Sequence, residues 1–148
     1  MKQFKHLGAY GLIIEKRKIV LIKKKGGPYN EKLDLPGGTI EWGETPEQTL
    51  IRELNEEVGI DVTNYELFDA NSVVLEWMHK EELEKVHHLG IFYKILDYNN
   101  DVLEKIKIDE KNDDSLGARF YEIDKLRKNE LSDIAKLEIE KLGYKLKN

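Results

Sequence analysis

Apolar residues in this chain fall into short runs of strand length, broken once by a clear helical period. Residues 6–14 (HLGAYGLII) and 19–22 (IVLI) flank the polar Glu15-Lys16-Arg17-Lys18. Two such runs around a tight polar turn predict a pair of strands. Residues 65–77 (YELFDANSVVLEW) and 87–96 (HHLGIFYKIL) predict two more, and the polar stretch 78–85 between them reads as a long hairpin tip or a short helical excursion. Leu33-Asp34-Leu35 reads as a short strand ended by Pro36-Gly37-Gly38. Residues 102–108 (VLEKIKI) alternate as a strand, 109–115 form an acidic loop, and 118–123 suit a last short strand.

The period changes after Gly43. Thr45-Pro46-Glu47-Gln48 is a helix-start signal, with Thr45 as N-cap, proline at the first helical position and glutamine at the third. Gly59 supplies the matching stop. Between them Leu50, Leu54 and Val58 fall four apart with Ile51 beside them, a stripe expected to pack on a sheet. A closing helix is expected from Ser132, a candidate cap, through Ile134, Leu137 and Leu142. Strands that mostly precede and surround two helices predict an α+β sandwich, not a regular βαβ alternation. With 148 residues and no internal repeat or linker, one domain over residues 1–148 is expected.

Composition narrows the chemistry. No cysteine is present, which excludes disulfides, thiolate metal sites and cysteine nucleophiles. Apolar runs fall far short of a membrane span, and the Met-Lys-Gln-Phe-Lys start lacks the apolar stretch of a signal peptide, so a soluble cytoplasmic protein without membrane partners is expected. The net charge of -5 argues against a surface built for nucleic-acid backbone. Lysines 23–25 are the local exception. If the strand continues through them, Lys24 faces opposite to Lys23 and Lys25, and either a solvated edge or contact with phosphate explains them.

Candidate chemistry concentrates in residues 38–60, GTIEWGETPEQTLIRELNEEVGI. Glu53, Glu56 and Glu57 stand three and four apart on one helical face, with Arg52 as the nearby cation. Hard oxygen ligands on a rigid element suit Mg²⁺ or Mn²⁺. By itself such a face is an ordinary solvated surface. Its frame is more specific: Gly38, five residues, Glu44, seven residues, then Arg52-Glu53-Leu54-Asn55-Glu56-Glu57-Val58-Gly59-Ile60. That frame resembles the signature of the Nudix hydrolases at every defined position.

The resemblance implies an α/β/α sandwich around a mixed, partly antiparallel sheet. It also implies divalent-cation-dependent hydrolysis of a nucleoside diphosphate linked to another group. Under it, Glu53, Glu56 and Glu57 bind Mg²⁺ (Mn²⁺ substituting) together with a main-chain carbonyl at Gly37 or Gly38. Either Glu53 or Glu56 orients or deprotonates the attacking water, Arg52 holds the carboxylates, and Glu44 supports Arg52. Relatives often add a carboxylate from a loop before the last strand, where Asp113 and Asp114 stand here; Asp114 is the candidate.

For the substrate, the sequence mostly excludes. No cysteine suits the isopentenyl-diphosphate isomerase relatives, residues 73–80 lack the proline that ADP-ribose pyrophosphatases tend to carry, and Trp77-Met78 stand where dinucleoside polyphosphate hydrolases tend to have tyrosine. A MutT-type nucleoside triphosphate pyrophosphohydrolase is the leading expectation. Alternatives are hydrolysis of ADP-ribose, nucleotide sugars, dinucleoside polyphosphates or RNA 5′ ends, and a non-catalytic nucleotide sensor. Tyr10, Tyr29, Trp42, Trp77 and Phe92 are the aromatic surfaces available for a base; Lys24, Tyr29 and Trp77 are the substrate-contact candidates. The partner is a small nucleotide, and the oligomeric state stays open, a homodimer included.

Overall fold

A computed structural model describes residues 1–99 and 115–148. In chain order the elements are β1 (Lys2–Leu12), β2 (Ile14–Glu15), β3 (Lys18–Lys24), β4 (Leu33–Asp34), β5 (Gly37–Thr39), α1 (Pro46–Val58), β6 (Val62–His79), β7 (Glu82–Tyr98), β8 (Ser115–Glu122) and α2 (Asp133–Lys141). One sheet runs β5-β1-β7-β6, with β1 and β7 parallel and the other pairs antiparallel. The second joins β2 and β4 to β3, which also pairs with β8.

Strand alternation builds the layers. Ala9, Val20, Ile22 and Tyr93 are buried in the cluster that holds Leu50, Leu54 and Val58 of α1. Their neighbours Tyr10, Ile19, Leu21 and Phe92 fall in the cluster that holds Ile134, Ala135 and Ile139 of α2. Successive strand residues thus serve opposite helices, and the expected α/β/α sandwich forms. Leu50 and Leu54 are fully buried, and each such leucine contributes about 2 kcal/mol. That anchors α1.

Helix α1 begins and ends where its signals stand. Gln48 N–H donates to Thr45 Oγ1 and Thr45 N–H to Gln48 Oε1, while Gly59 closes the helix at φ 79°. Three expectations need correction. Ile51 is 41% exposed, and Thr49 is buried instead. Gly37-Gly38 do not merely end a strand: they form β5, paired with Tyr10 and Ala9. Residues 78–85 are almost all strand, joined by a two-residue turn in which Lys80 and Glu81 take φ 48° and 67°. Both central residues at positive φ match the tight hairpin turn whose twist suits the strands. The expected strand 102–108 lies outside the described residues. Among the described residues no helix is long and apolar enough to cross a membrane.

One buried carboxyl stands apart from this packing logic. Glu138 of α2 is fully buried, and burial together with Asp69 pushes its pKa up to about 7. As ionised groups, Asp69 Oδ2 and both Glu138 oxygens would lack partners; a proton on Glu138 supplies the missing donor to Asp69. A raised folded pKa gives stability that is complete below the unfolded value of 4.5 and lost as pH rises through 7. Glu138→Gln keeps a donor at every pH. Chemical denaturation should therefore show the variant gaining on the wild type by on the order of 2 kcal/mol between pH 5 and pH 8; parallel curves would assign the proton elsewhere.

Candidate active site

The pairing of β5 with β1 brings the Gly37-Gly38 backbone against the flank of α1. Gly37 N–H donates to Glu57 Oε1 at 2.8 Å. At Gly38 a Cβ atom would sit 2.7 Å from the Glu53 carboxyl, so the bare backbone is what admits that side chain. Glu53 and Glu57 therefore bracket the two glycines. Glu56, four residues from Arg52, points outward with 58% of its side chain exposed.

Arg52 ties this face together. Its Nε and Nη2 donate to the two oxygens of Glu44 (2.8 and 2.9 Å), and its Nη1 donates to Glu53 Oε1 at 2.9 Å. Glu56 lies 3.5 Å from Nη1. Glu44 also accepts from Glu41 N–H and from the buried Thr49 hydroxyl. The hydrogen bonds from Arg52 hold the Glu44 carboxyl down to about 2, so it stays charged. Fork-on-carboxylate pairing fixes both position and orientation.

Electrostatics divide the carboxylates. Burial raises Glu53, against the opposing pull of Arg52, and pushes Glu57 up to about 7 despite Lys24 and the Gly37 N–H. Among the described residues no three histidine or carboxyl groups converge on one metal-sized point. Arg52 draws Glu53 one way, and Gly37 N–H holds Glu57 another. The donor chemistry nonetheless fits a hard divalent cation: two carboxylates raised by burial flank the bare backbone of β5, and a cation between them would return both to the charged form.

These groups open into a cavity of about 480 Å³. Lys24, Tyr29, Gly37, Gly38, Glu53 and Glu57 all line it. Glu44, Arg52 and Glu56 lie around α1 without lining it, and Trp77 lines an adjoining cavity. Lys23 faces a separate surface depression, as strand alternation requires, but β3 ends at Lys24 and Lys25 lines the same cavity as Lys24, against the expected alternation. Asp114 lies outside the described residues. Trp42 is fully exposed and Phe92 fully buried, so neither is a cavity wall.

Three further wall residues lie outside the site candidates drawn from the sequence. Asp34 is buried, accepts from the Ser132 hydroxyl (2.6 Å) and from Leu35 N–H (2.9 Å), and is raised by burial. His88 accepts or donates at both ring nitrogens, 2.6 Å from the Tyr10 hydroxyl and 2.8 Å from that of Tyr29. Burial, His6 and Lys24 hold it down to about 3, so it is neutral, and one tyrosine donates while the other accepts. His6 stacks on His88 at 4.6 Å and bonds Thr39 Oγ1. A carboxylate set between two leucines was the available signal for Asp34; the histidine network depends on residues 59 to 78 positions apart.

Comparison with known proteins adds three findings. The NUDIX domain family model matches residues 4–140. The chain is 43% identical over 63 residues to the 8-oxo-dGTP diphosphatase of Escherichia coli, covering 41% of this chain and 49% of that protein. It is 30% identical over 118 residues to the ADP-ribose pyrophosphatase of Methanocaldococcus jannaschii, covering 80% and 62%. The matches thus span about half to three-fifths of those two relatives' lengths. In three dimensions it is similar to the crystal structure of a MutT NUDIX hydrolase from Burkholderia pseudomallei, with a TM-score of 0.68 at 22% identity over 92% of this chain and 96% of that one.

Proposed function

The chain belongs to the Nudix hydrolase family, and from that premise we propose that it hydrolyses a phosphoric anhydride in a nucleotide, foremost a nucleoside triphosphate, giving nucleoside monophosphate and pyrophosphate. The observation that carries this reading is the pair Glu53 and Glu57 set against the Gly37-Gly38 backbone, facing Lys24 across one cavity. Phosphoryl transfer asks a protein for positioning and charge neutralisation more than for covalent chemistry.

Glu53 and Glu57, with Glu56 and a carbonyl of Gly37 or Gly38, would hold Mg²⁺, for which Mn²⁺ substitutes; Asp114 is a further candidate ligand. Such a cation, when bound, neutralises phosphate oxygens and acidifies coordinated water. The chain's own groups do the rest. Lys24 presents positive charge to the phosphates, Arg52 and Glu44 fix Glu53, and Glu53 or Glu56 accepts the proton of the attacking water. The relative named ADP-ribose pyrophosphatase supports ADP-ribose as the second substrate.

The decisive experiment is a panel of nucleoside triphosphates, ADP-ribose and nucleotide sugars with Mg²⁺, scored for released pyrophosphate and phosphate. At least one triphosphate is expected to turn over with kcat/KM above about 10⁴ M⁻¹s⁻¹, releasing pyrophosphate. Failure of every substrate with both Mg²⁺ and Mn²⁺ overturns the reading.

A further inference from the structure

The sheet face that floors the catalytic cavity continues past it. Strand register lines up three rows across β1, β7 and β6: His6–His88–Val73, Phe4–Val86–Leu75 and Lys2–Glu84–Trp77. Rows two residues apart share a face and lie about 6.6 Å from one another. Beyond the His88 row the face opens into a second cavity of about 550 Å³, which shares His6, Pro28 and Val86 with the first. The two are one continuous cleft. From Gly8, the partner of Thr39 on β5, to Phe4 is four residues, about 13 Å, the reach of a nucleoside extended from its phosphate.

The walls of this second cavity are unusual for a simple hairpin surface. Trp77 stacks on His79 with ring centres 4.8 Å apart and planes 11° from parallel. Its indole Nε1 is buried and has no hydrogen-bond partner. Glu84, directly opposite Trp77 in register, is buried, and His79 Nδ1 approaches it only to 3.4 Å. An aromatic plane, an unpartnered donor and a buried acceptor thus stand side by side. Phe4, 48% exposed, adds an apolar floor.

We propose that this second cavity is the base-recognition end of the cleft and receives a planar heteroaromatic ring that bears an exocyclic amino group. Glu84 accepts from the amino group, Trp77 Nε1–H donates to a ring nitrogen or carbonyl, and the ring lies on Val86 and Phe4. Adenine, cytosine and guanine offer the carboxylate an exocyclic N–H; uracil and thymine place a carbonyl oxygen where cytosine carries its amino group and have only the ring N3–H to donate beside it. A buried group built to bond an amine rejects a ligand that lacks one much more strongly than an apolar pocket rejects a change of shape. This inference rests on the nucleotide-hydrolase reading but makes a separate claim about which bases are selected.

The test reads Trp77 directly. The chain has two tryptophans, and Trp42 is fully exposed and lines neither cavity, so Trp42→Phe leaves Trp77 as sole reporter. Titration with AMP, CMP, UMP and inorganic pyrophosphate should shift Trp77 emission with AMP and CMP at Kd values at least about tenfold tighter than UMP, and pyrophosphate should leave it unmoved. Glu84→Gln should shrink the AMP-to-UMP ratio to within about threefold. Trp77→Phe, which removes the indole donor and keeps an aromatic ring beside His79, should raise KM for the matching triphosphate more than it lowers kcat. Equal affinity for AMP and UMP, or no emission change with any nucleotide, overturns the proposal. Turnover with unaltered KM in both variants sinks base selection here and leaves the hydrolase standing, whereas selective binding without turnover does the reverse.

Discussion

Glu57→Gln is expected to lower kcat by roughly 100-fold or more while the protein melts at the same temperature or higher. The two effects move oppositely because they have different origins. The amide oxygen of glutamine still accepts from Gly37 N–H, so the contact between α1 and β5 survives. What disappears is a carboxylate that burial pushes up to about 7. A folded pKa above the unfolded 4.5 gives stability that is full below 4.5 and lost as pH rises through 7. At pH 8 the wild type carries a buried charge that the variant does not, and the variant should unfold at higher denaturant. Under the proposed function catalysis suffers because the lost charge is one that would hold the divalent cation. Steady-state kinetics at saturating Mg²⁺, paired with denaturation of the metal-free proteins, checks both halves. Activity within threefold of wild type would remove Glu57 from the ligand set.

The contrast between what could and could not be read in advance follows the range of the interactions. Helix α1 was legible at both ends because Thr45, Pro46, Gln48 and Gly59 act on backbone groups within five positions of themselves. Of the three glutamates expected to share a face, Glu53 and Glu57 line the cavity and Glu56 points outward. The paired strands from Val62 to Tyr98 were shortened because their turn uses Lys80 and Glu81 at positive φ, where asparagine and glycine would have announced it. Strand β5 was hidden in two glycines whose pairing with β1 is set 29 and 27 residues away, at Ala9–Gly38 and Tyr10–Gly37. Asp34, His6 and His88 stood outside the site candidates since each becomes a wall residue only through partners elsewhere in the chain. Local codes announce elements; the cavity that gathers side chains from several of them is a long-range product.

Gly37→Ala and Gly38→Ala, one position apart, are expected to fail in different ways. Gly37 adopts φ 144°, and a Cβ there would lie 2.2 Å from Ala9 O and 2.7 Å from Tyr10 Cα. Both obstacles are backbone of β1, held by pairing to β5 on one side and β7 on the other. Neither can yield locally. Backbone strain and overpacking each cost about 1–3 kcal/mol, so Gly37→Ala should lower Tm by about 10 °C or more and reduce soluble yield. Gly38 has no such backbone demand, and its added Cβ meets the carboxyl end of Glu53, which swings away by side-chain rotation. The fold should therefore persist, with Tm within about 3 °C of wild type. Swinging Glu53 away breaks its placement beside the β5 backbone and its bond to Arg52, so turnover should fall roughly 30-fold. Calorimetry and kinetics on the two variants separate fold from chemistry. A Gly38→Ala protein with full activity would mean that the position of Glu53 against that backbone is not what the reaction uses.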